Sequence, residues 1–503
     1  MIRFRHRLWI FILFSTPCTA FAQTVLVKPY VQPGDSAVPG KTDSKALCWL
    51  TDQTPGEFVV EYEVAAGRVL IARPERMALD FEKLIDPKMA DPQKPGNPEE
   101  PVEKTGGLPP EKEQHYFKYV AHLPELPYDS EVRYRVKLGN RIVREAAFRT
   151  TASRDKPIRF AVVGDLANGK EPQKGIAYRI SEEKPAFLLA LGDIVYPSGR
   201  VNQYAQFYWN TYNDVDAPGP KAGAPLMASI PFYAMLGNHD VAAKLPTVPD
   251  ALGIYYFFRA PQNGPGIGPW VTPLGSDKAA VAKFRAAAAE SYPSLDAYSF
   301  DNGPAHVLVI NSNLSGAIDQ PKFRQWVEDD LKAAKAPWKF VCHHCPAFHS
   351  SGQHYTEQAM RLWQPLFQDN GVDVVFSGHI HNYQRSVPLK FVPLSPKRDK
   401  RGRADGEFTF DRDFDGVTKT QPKGIIHFVA GGGGATLYGP GLDKSAVVLK
   451  KEHGGNYADY TAKMVADRHS FVMIDLTTDK FKLRALDLNG APLDEIVITK
   501  PRK

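Results

Sequence analysis

Residues 192–196 read Gly-Asp-Ile-Val-Tyr and follow the apolar run PAFLLAL at 185–191. Asp193 therefore stands at the C-terminal end of a short, fully buried strand, where open α/β sheets place their ligands. The arrangement recurs. Asp165 closes IRFAVVG, Asn238-His239-Asp240 closes PFYAMLG, His343 and His344 close KFVC, and His379 and His381 close VDVVFSG. One Asp after a Gly is an ordinary solvated turn residue. Five strand ends carrying Asp, Asp, Asn, His and His-x-His form a set of oxygen and nitrogen donors without thiolate. Such a set suits divalent or trivalent transition metals.

In these motifs the chain resembles the binuclear (calcineurin-like) metallophosphoesterases, and among them the purple acid phosphatases. The signatures are GDL at 164–166, GDIVY at 192–196, GNHD at 237–240, HCP at 344–346 and GHIHNYQR at 378–385. Tyr196 narrows the likeness, because most relatives lack a tyrosine three residues after the bridging Asp. The resemblance implies one metal held by Asp165, Asp193, Tyr196 and His381, and a second held by Asp193, Asn238, His344 and His379. A phenolate at Tyr196 favours hard Fe³⁺, and an Asn with two His suits a divalent partner, Zn²⁺, Fe²⁺ or Mn²⁺. The family histidines on the phosphate side correspond to His239 and His354. Gln353 stands where the plant pattern has a further His. His343 should point away from the metals, because alternate strand residues leave on opposite faces. Arg385 reads equally as a substrate contact or as a structural ion pair.

The implied reaction is hydrolysis of phosphate monoesters by a metal-bound hydroxide at an Fe(III)–M(II) centre, of acid phosphatase type. A phosphodiesterase or nucleotide-directed enzyme with the same centre is the alternative. A non-catalytic binding or structural protein is the third reading, and seven intact ligand positions argue against it. The glycine run in GIIHFVAGGGGA, 424–435, lacks the Lys-Ser/Thr of a nucleotide P-loop. The resemblance implies that this strand and loop support the metal-site face.

The elements that must carry this site begin near residue 158. A helix is expected at 171–184, an aromatic helix packed on the sheet at 202–215, and an amphipathic helix at 321–334 with its acidic residues facing solvent. The Gly/Pro-rich stretch 261–269 is a candidate for shaping the pocket, and 389–420 reads as a polar surface excursion. His306 stands away from the strand ends and reads as a structural histidine. HSFVMIDLTTDKFKLRALDLNG closes the chain as a β-hairpin.

Residues 24–151 read as β throughout, with KALCWLTD, EFVVEYEV, EVRYRVKLG and AAFRT as strands and Trp49 in their core. The expected fold is an all-β sandwich, which the resemblance makes fibronectin III-like over 23–152, followed by an α/β metallophosphoesterase domain, a four-layer α/β/β/α sandwich, over 158–503. A proline-rich exposed loop is expected at 86–114.

A chain of 503 residues needs more than one core. Its net charge of +6 includes Arg3, Arg5 and Arg7. These arginines, the apolar LWIFILF and Ala20-Phe21-Ala22 read as a signal peptide over 1–22, so the expected location is secreted or periplasmic. The remaining charge is too weak and dispersed to argue for nucleic acid. No membrane span is expected after signal removal, the expected partner is a small phosphate ester, and the sequence leaves the oligomeric state open. Cys342 and Cys345, spaced C-x-x-C around His343 and His344, read as packed free thiols rather than a disulfide.

Overall fold

The computed structural model describes residues 23–35, 37, 42–64, 67–82, 113–245, 247–314, 319–438 and 457–501. The expected signal peptide and nearly all of the expected 86–114 loop lie outside them. None of the described helices is long and apolar enough to cross a membrane.

The N-terminal region is a sandwich of two antiparallel sheets. One holds β1 (Val25–Pro33), β2 (Asp43–Thr51), β5 (Glu75–Phe81) and β6 (Gln114–Leu126) in the order β1-β2-β6-β5. The other holds β3 (Phe58–Val64), β4 (Arg68–Ala72), β7 (Glu131–Leu138) and β8 (Arg141–Arg149) in the order β4-β3-β7-β8. Alternate residues face inward, as the pleat requires. Trp49 is buried between them and stacks on Tyr119, with ring centroids 5.3 Å apart. The opposite face of the first sheet is also buried. Tyr30, Ala46, Cys48, Leu50, Leu79 and Phe81 join the core of the second region. Tyr30 meets Trp209 at 5.1 Å and Phe81 meets Tyr256 at 5.2 Å, centroid to centroid.

The second region stacks two mixed sheets. The first comprises β9 (Ile158–Val163), β10 (Phe187–Ala190), β11 (Phe232–Ala234), β21 (Ser470–Leu476), β22 (Lys480–Asp487) and β23 (Pro492–Thr499), in the order β11-β10-β9-β21-β22-β23. The second comprises β12 (Ala297–Asn302), β13 (Ala305–Ile310), β14 (Trp338–His343), β15 (Val374–Ser377), β16 (Tyr383–Ser386), β19 (Ile426–Ala430) and β20 (Thr461–Val465), in the order β12-β13-β14-β15-β19-β16-β20. Aromatic rings fill the space between the sheets: Tyr233 stacks on Phe300 at 3.7 Å, and Phe160 meets Phe340 at 6.2 Å. The helix Glu171–Glu183 covers the outside of the first sheet and Pro321–Ala333 the outside of the second. The strands β9, β10 and β11 run parallel, as do β13, β14, β15 and β19, so their C-terminal ends converge on one edge.

Four details depart from the sequence reading. Asp330 does not face solvent: it accepts from Ser299 Oγ at 2.6 Å and meets His306 Nε2 at 2.9 Å. The aromatic helix at 202–215 is broken, with a π-helical turn at Tyr204–Tyr208. Its rings are packed, as expected, but on the sandwich sheet and on Phe257. The excursion at 389–420 contains a hairpin of β17 (Leu389–Pro393) and β18 (Gly406–Phe410), whose Phe391 is buried. Within the 261–269 loop, Asn263 bonds Ser299 and Trp326 at the outer edge of the second sheet.

Candidate metal centre

Several candidate ligand residues sit on turns that the ordinary backbone disfavours. Asp165, Asp193 and His379 all have positive φ, +61°, +50° and +68°. Asp and His tolerate this region better than most residues, and strain of this kind collects at functional sites. Each follows a glycine. Gly192 itself has φ +87°, and a Cβ there would lie 2.6 Å from His344 Nδ1. A Cβ on Gly237 would lie 2.0 Å from Asp193 Oδ1. The glycines let the backbone close around the carboxylates.

The hydroxyl oxygen of Tyr196 lies 3.1 Å from each of Asp165 Oδ1, Asp193 Oδ2 and His381 Nε2. His381 Nδ1 donates to the Thr436 carbonyl at 2.7 Å, which leaves the Nε2 lone pair facing the carboxylates, 3.3 Å from Asp165. On the other side, His344 Nδ1 donates to the Leu191 carbonyl at 2.7 Å. Its Nε2 is 3.1 Å from Asn238 Oδ1 and 3.4 Å from Asp193 Oδ2. The His379 ring packs 4.9 Å from that of His344, centroid to centroid. Two donor clusters result, Asp165–Asp193–His381 and Asp193–His344–His379, and Asp193 belongs to both.

Two carboxylates and a phenol, all but fully buried, face the lone pairs of imidazoles. Burial of such a set of acceptors is costly without a cation among them. The donor set therefore fits two metal ions. Burial, together with the charge of His354, lowers His379 to about 4, whereas at His344 the charge of Asp193 outweighs burial and raises it to about 10, so a metal there displaces a proton.

Residues 158–383 match the family described as calcineurin-like phosphoesterase. This segment has the metallophosphoesterase fold. The chain is 25% identical over 290 residues to a purple acid phosphatase of Glycine max, covering 55% of this chain and 54% of that protein. It is 27% identical over 290 residues to purple acid phosphatase 1 of Ipomoea batatas, covering 55% and 53% respectively. The chain thus spans about half the length of the curated relatives it matches. The solved structure of purple acid phosphatase PPD1 from yellow lupin superposes with a TM-score of 0.58 at 18% identity, covering 94% of this chain and 74% of that one. The match to purple acid phosphatases is low in identity and consistent across the family.

The remaining residues singled out in the sequence fall as follows. His239 lies beside the cluster: its Nε2 is 3.9 Å from Asp193 Oδ2, its ring packs tilted against Tyr196 at 4.4 Å, centroid to centroid, and its Nδ1 donates to the Pro197 carbonyl at 2.6 Å. His354, with φ +58°, packs 4.1 Å from His379, ring to ring. His343 turns away, towards the Cys345 carbonyl and Ser377 Oγ. Arg385 is paired with Asp494 at 2.6 Å, the structural alternative of the two. His306 is held between Asp301 and Asp330. Cys48, Cys342 and Cys345 are free thiols.

Three residues escaped the sequence reading. Glu357 Oε1 accepts from His354 Nδ1 at 2.7 Å while Oε2 meets His379 Nε2 at 3.1 Å. Asp240 accepts from the backbone N–H groups of Ile194 at 3.0 Å and Gly237 at 2.9 Å, tying two ligand turns together. Tyr438 stacks on His381 at 4.0 Å. The only sequence signal for any of them is the Asp that ends GNHD.

Proposed function

We propose that this protein hydrolyses phosphate monoesters at a binuclear Fe(III)–M(II) centre, as an acid phosphatase. The observation that supports this most is Asp193, a buried carboxylate common to two donor clusters, with the Tyr196 oxygen against one of them. Asp165, Asp193, Tyr196 and His381 would hold Fe³⁺, because a phenol oxygen and two carboxylates are hard anionic donors. Asp193, Asn238, His344 and His379 would hold Zn²⁺, Fe²⁺ or Mn²⁺. When bound, such a pair supplies a nucleophile at moderate pH and neutralises charge on the phosphoryl group.

The side chains carry the rest. Thr436 and Leu191 fix the tautomers of His381 and His344 through their Nδ1–H groups. Since Nδ1 of His239 already donates to Pro197, the ring gives a proton to a leaving oxygen from Nε2, and only as the imidazolium. His354, held by Glu357 through Nδ1, keeps Nε2 for a phosphoryl oxygen.

The test combines metal analysis with a visible spectrum and rates on one aryl monoester, one alkyl monoester and one diester. One iron and one divalent metal, colour, and preference for monoesters support the reading. Two zinc or two manganese in protein made with iron available defeats the Fe(III)–M(II) centre, and a large preference for diesters defeats the substrate class.

A further inference from the structure

Beside the two clusters lies a third set of donors that includes sulfur. The ligand atoms of Cys345, Glu357 and His379 lie within 4.8 Å of one another. They come from separate turns: Cys345 follows β14, Glu357 precedes the turn of helix at Ala359–Trp363, and His379 follows β15. The Glu357 carboxylate is already aimed at nitrogen, spanning His354 Nδ1 at 2.7 Å and His379 Nε2 at 3.1 Å. The Cys345 thiol has weaker attachments, Asn313 Oδ1 at 4.0 Å and the Ser312 hydroxyl. A thiol held this loosely can turn without breaking a strong hydrogen bond.

We propose that Cys345, Glu357 and Nε2 of His379 form a third cation site, one that takes a thiophilic divalent ion such as Zn²⁺ or Cd²⁺ while Nδ1 of His379 serves the divalent ion of the shared centre. Sulfur with imidazole nitrogen and carboxylate oxygen is a donor set for such ions, whereas hard cations avoid sulfur. Zinc bond lengths put neighbouring ligand atoms roughly 3.3–3.5 Å apart in a tetrahedral site, so the three groups close by up to about 1.5 Å. Binding releases the thiol proton of Cys345 and the proton between Glu357 and His379 Nε2 to solvent. It also draws Glu357 away from His354. If the chain is the hydrolase proposed above, occupation therefore inhibits it. Binding itself does not depend on that activity.

The full-length protein, stripped by a chelator and reloaded with the two metals it is isolated with, is titrated with Cd²⁺. One further equivalent is expected, with an ultraviolet thiolate-to-cadmium charge-transfer band and rate on an aryl phosphate falling in step. Cys345→Ala and Cys345→Ser should bind the additional Cd²⁺ at least 10-fold more weakly and lack the band, while keeping the first two metals and the uninhibited rate. Asp193→Ala should keep the band, which separates this site from the shared one. Cd²⁺ should also protect Cys345 of the unaltered protein from alkylation, read by mass spectrometry, so the result does not hang on a variant that folds. An unchanged band in both Cys345 variants, or alkylation at the same rate with and without Cd²⁺, overturns the proposal.

Discussion

The hydroxyl oxygen of Tyr196 lies 3.1 Å from Nε2 of His381, and that nitrogen faces it because Nδ1 of the same ring is committed to the Thr436 carbonyl. Tyr196→Phe removes that one oxygen and leaves the ring, which packs on His239, in place. The expected variant folds normally, loses the iron charge-transfer colour and retains the divalent metal better than the ferric one. Metal content and visible spectrum on the same sample check this. Colour surviving in the phenylalanine variant would rule Tyr196 out as the chromophoric ligand.

Asp193 and His239 separate metal binding from proton transfer. Asp193→Ala should remove activity and at least one metal, because both donor clusters contain Asp193. His239→Ala should keep both metals, since its Nε2 is 3.9 Å from the nearest Asp193 oxygen and belongs to neither cluster. Its rate should fall by about 10²–10⁴-fold on an alkyl phosphate. The loss should be much smaller on a nitrophenyl phosphate, whose leaving group hardly needs a proton. Equal losses on the two esters, or missing metals, would count against the role given to His239.

Asp165, Asp193, Asn238 and His379 were legible as candidate ligands because each follows a glycine at the end of an apolar strand, and His344 and His381 because they share such strand ends. Tyr196 was legible by its distance from Asp193 alone. Glu357 was not, because its carboxylate reaches His379 from a separate turn and no local pattern announces it. Asp330 was misread for a related reason. It sits three residues after buried Val327, at the border of the apolar stripe, and only the packed helix reveals that it meets His306. The sandwich was legible where one face alternates. Its strand β1 was harder, since one face enters the sandwich and the other packs on Trp209.

Glu357 should behave as an orienting group in the hydrolytic reaction. Burial alone would raise its carboxyl, yet the hydrogen bonds from His354 and His379 hold it well below the usual range. In Glu357→Gln one of the two histidines faces an amide N–H in place of an acceptor. Loss of a partner behind a metal-binding histidine typically costs about 10–100-fold in affinity or activity. The expected result is faster loss of the divalent metal to a chelator, with a fall in rate. His354→Ala should lower the rate without speeding metal loss, because His379 keeps its carboxylate. Metal release as fast in His354→Ala as in Glu357→Gln would show that Glu357 does not act through His379.

His306 gives a pH dependence remote from the metals. It is 2% exposed, with Nδ1 2.7 Å from Asp301 and Nε2 2.9 Å from Asp330. Burial lowers its affinity for a proton, but the two carboxylates outweigh that and raise it to about 9. An unfolded histidine titrates near 6.5. The folded state therefore holds the proton more tightly, and the stabilisation is fully present below about pH 6.5. It declines as pH rises towards 9 and is gone above it. A shift of this size corresponds to on the order of 3 kcal/mol for a buried group. His306→Asn should unfold at a lower temperature than the unaltered protein at pH 6, and the gap should narrow steadily up to pH 9.5. Thermal melts of both proteins at one scan rate, across that range, measure it. The comparison cancels the contributions of other titrating groups, so a gap that stayed constant or widened with pH would mean that His306 is not held as the imidazolium between Asp301 and Asp330.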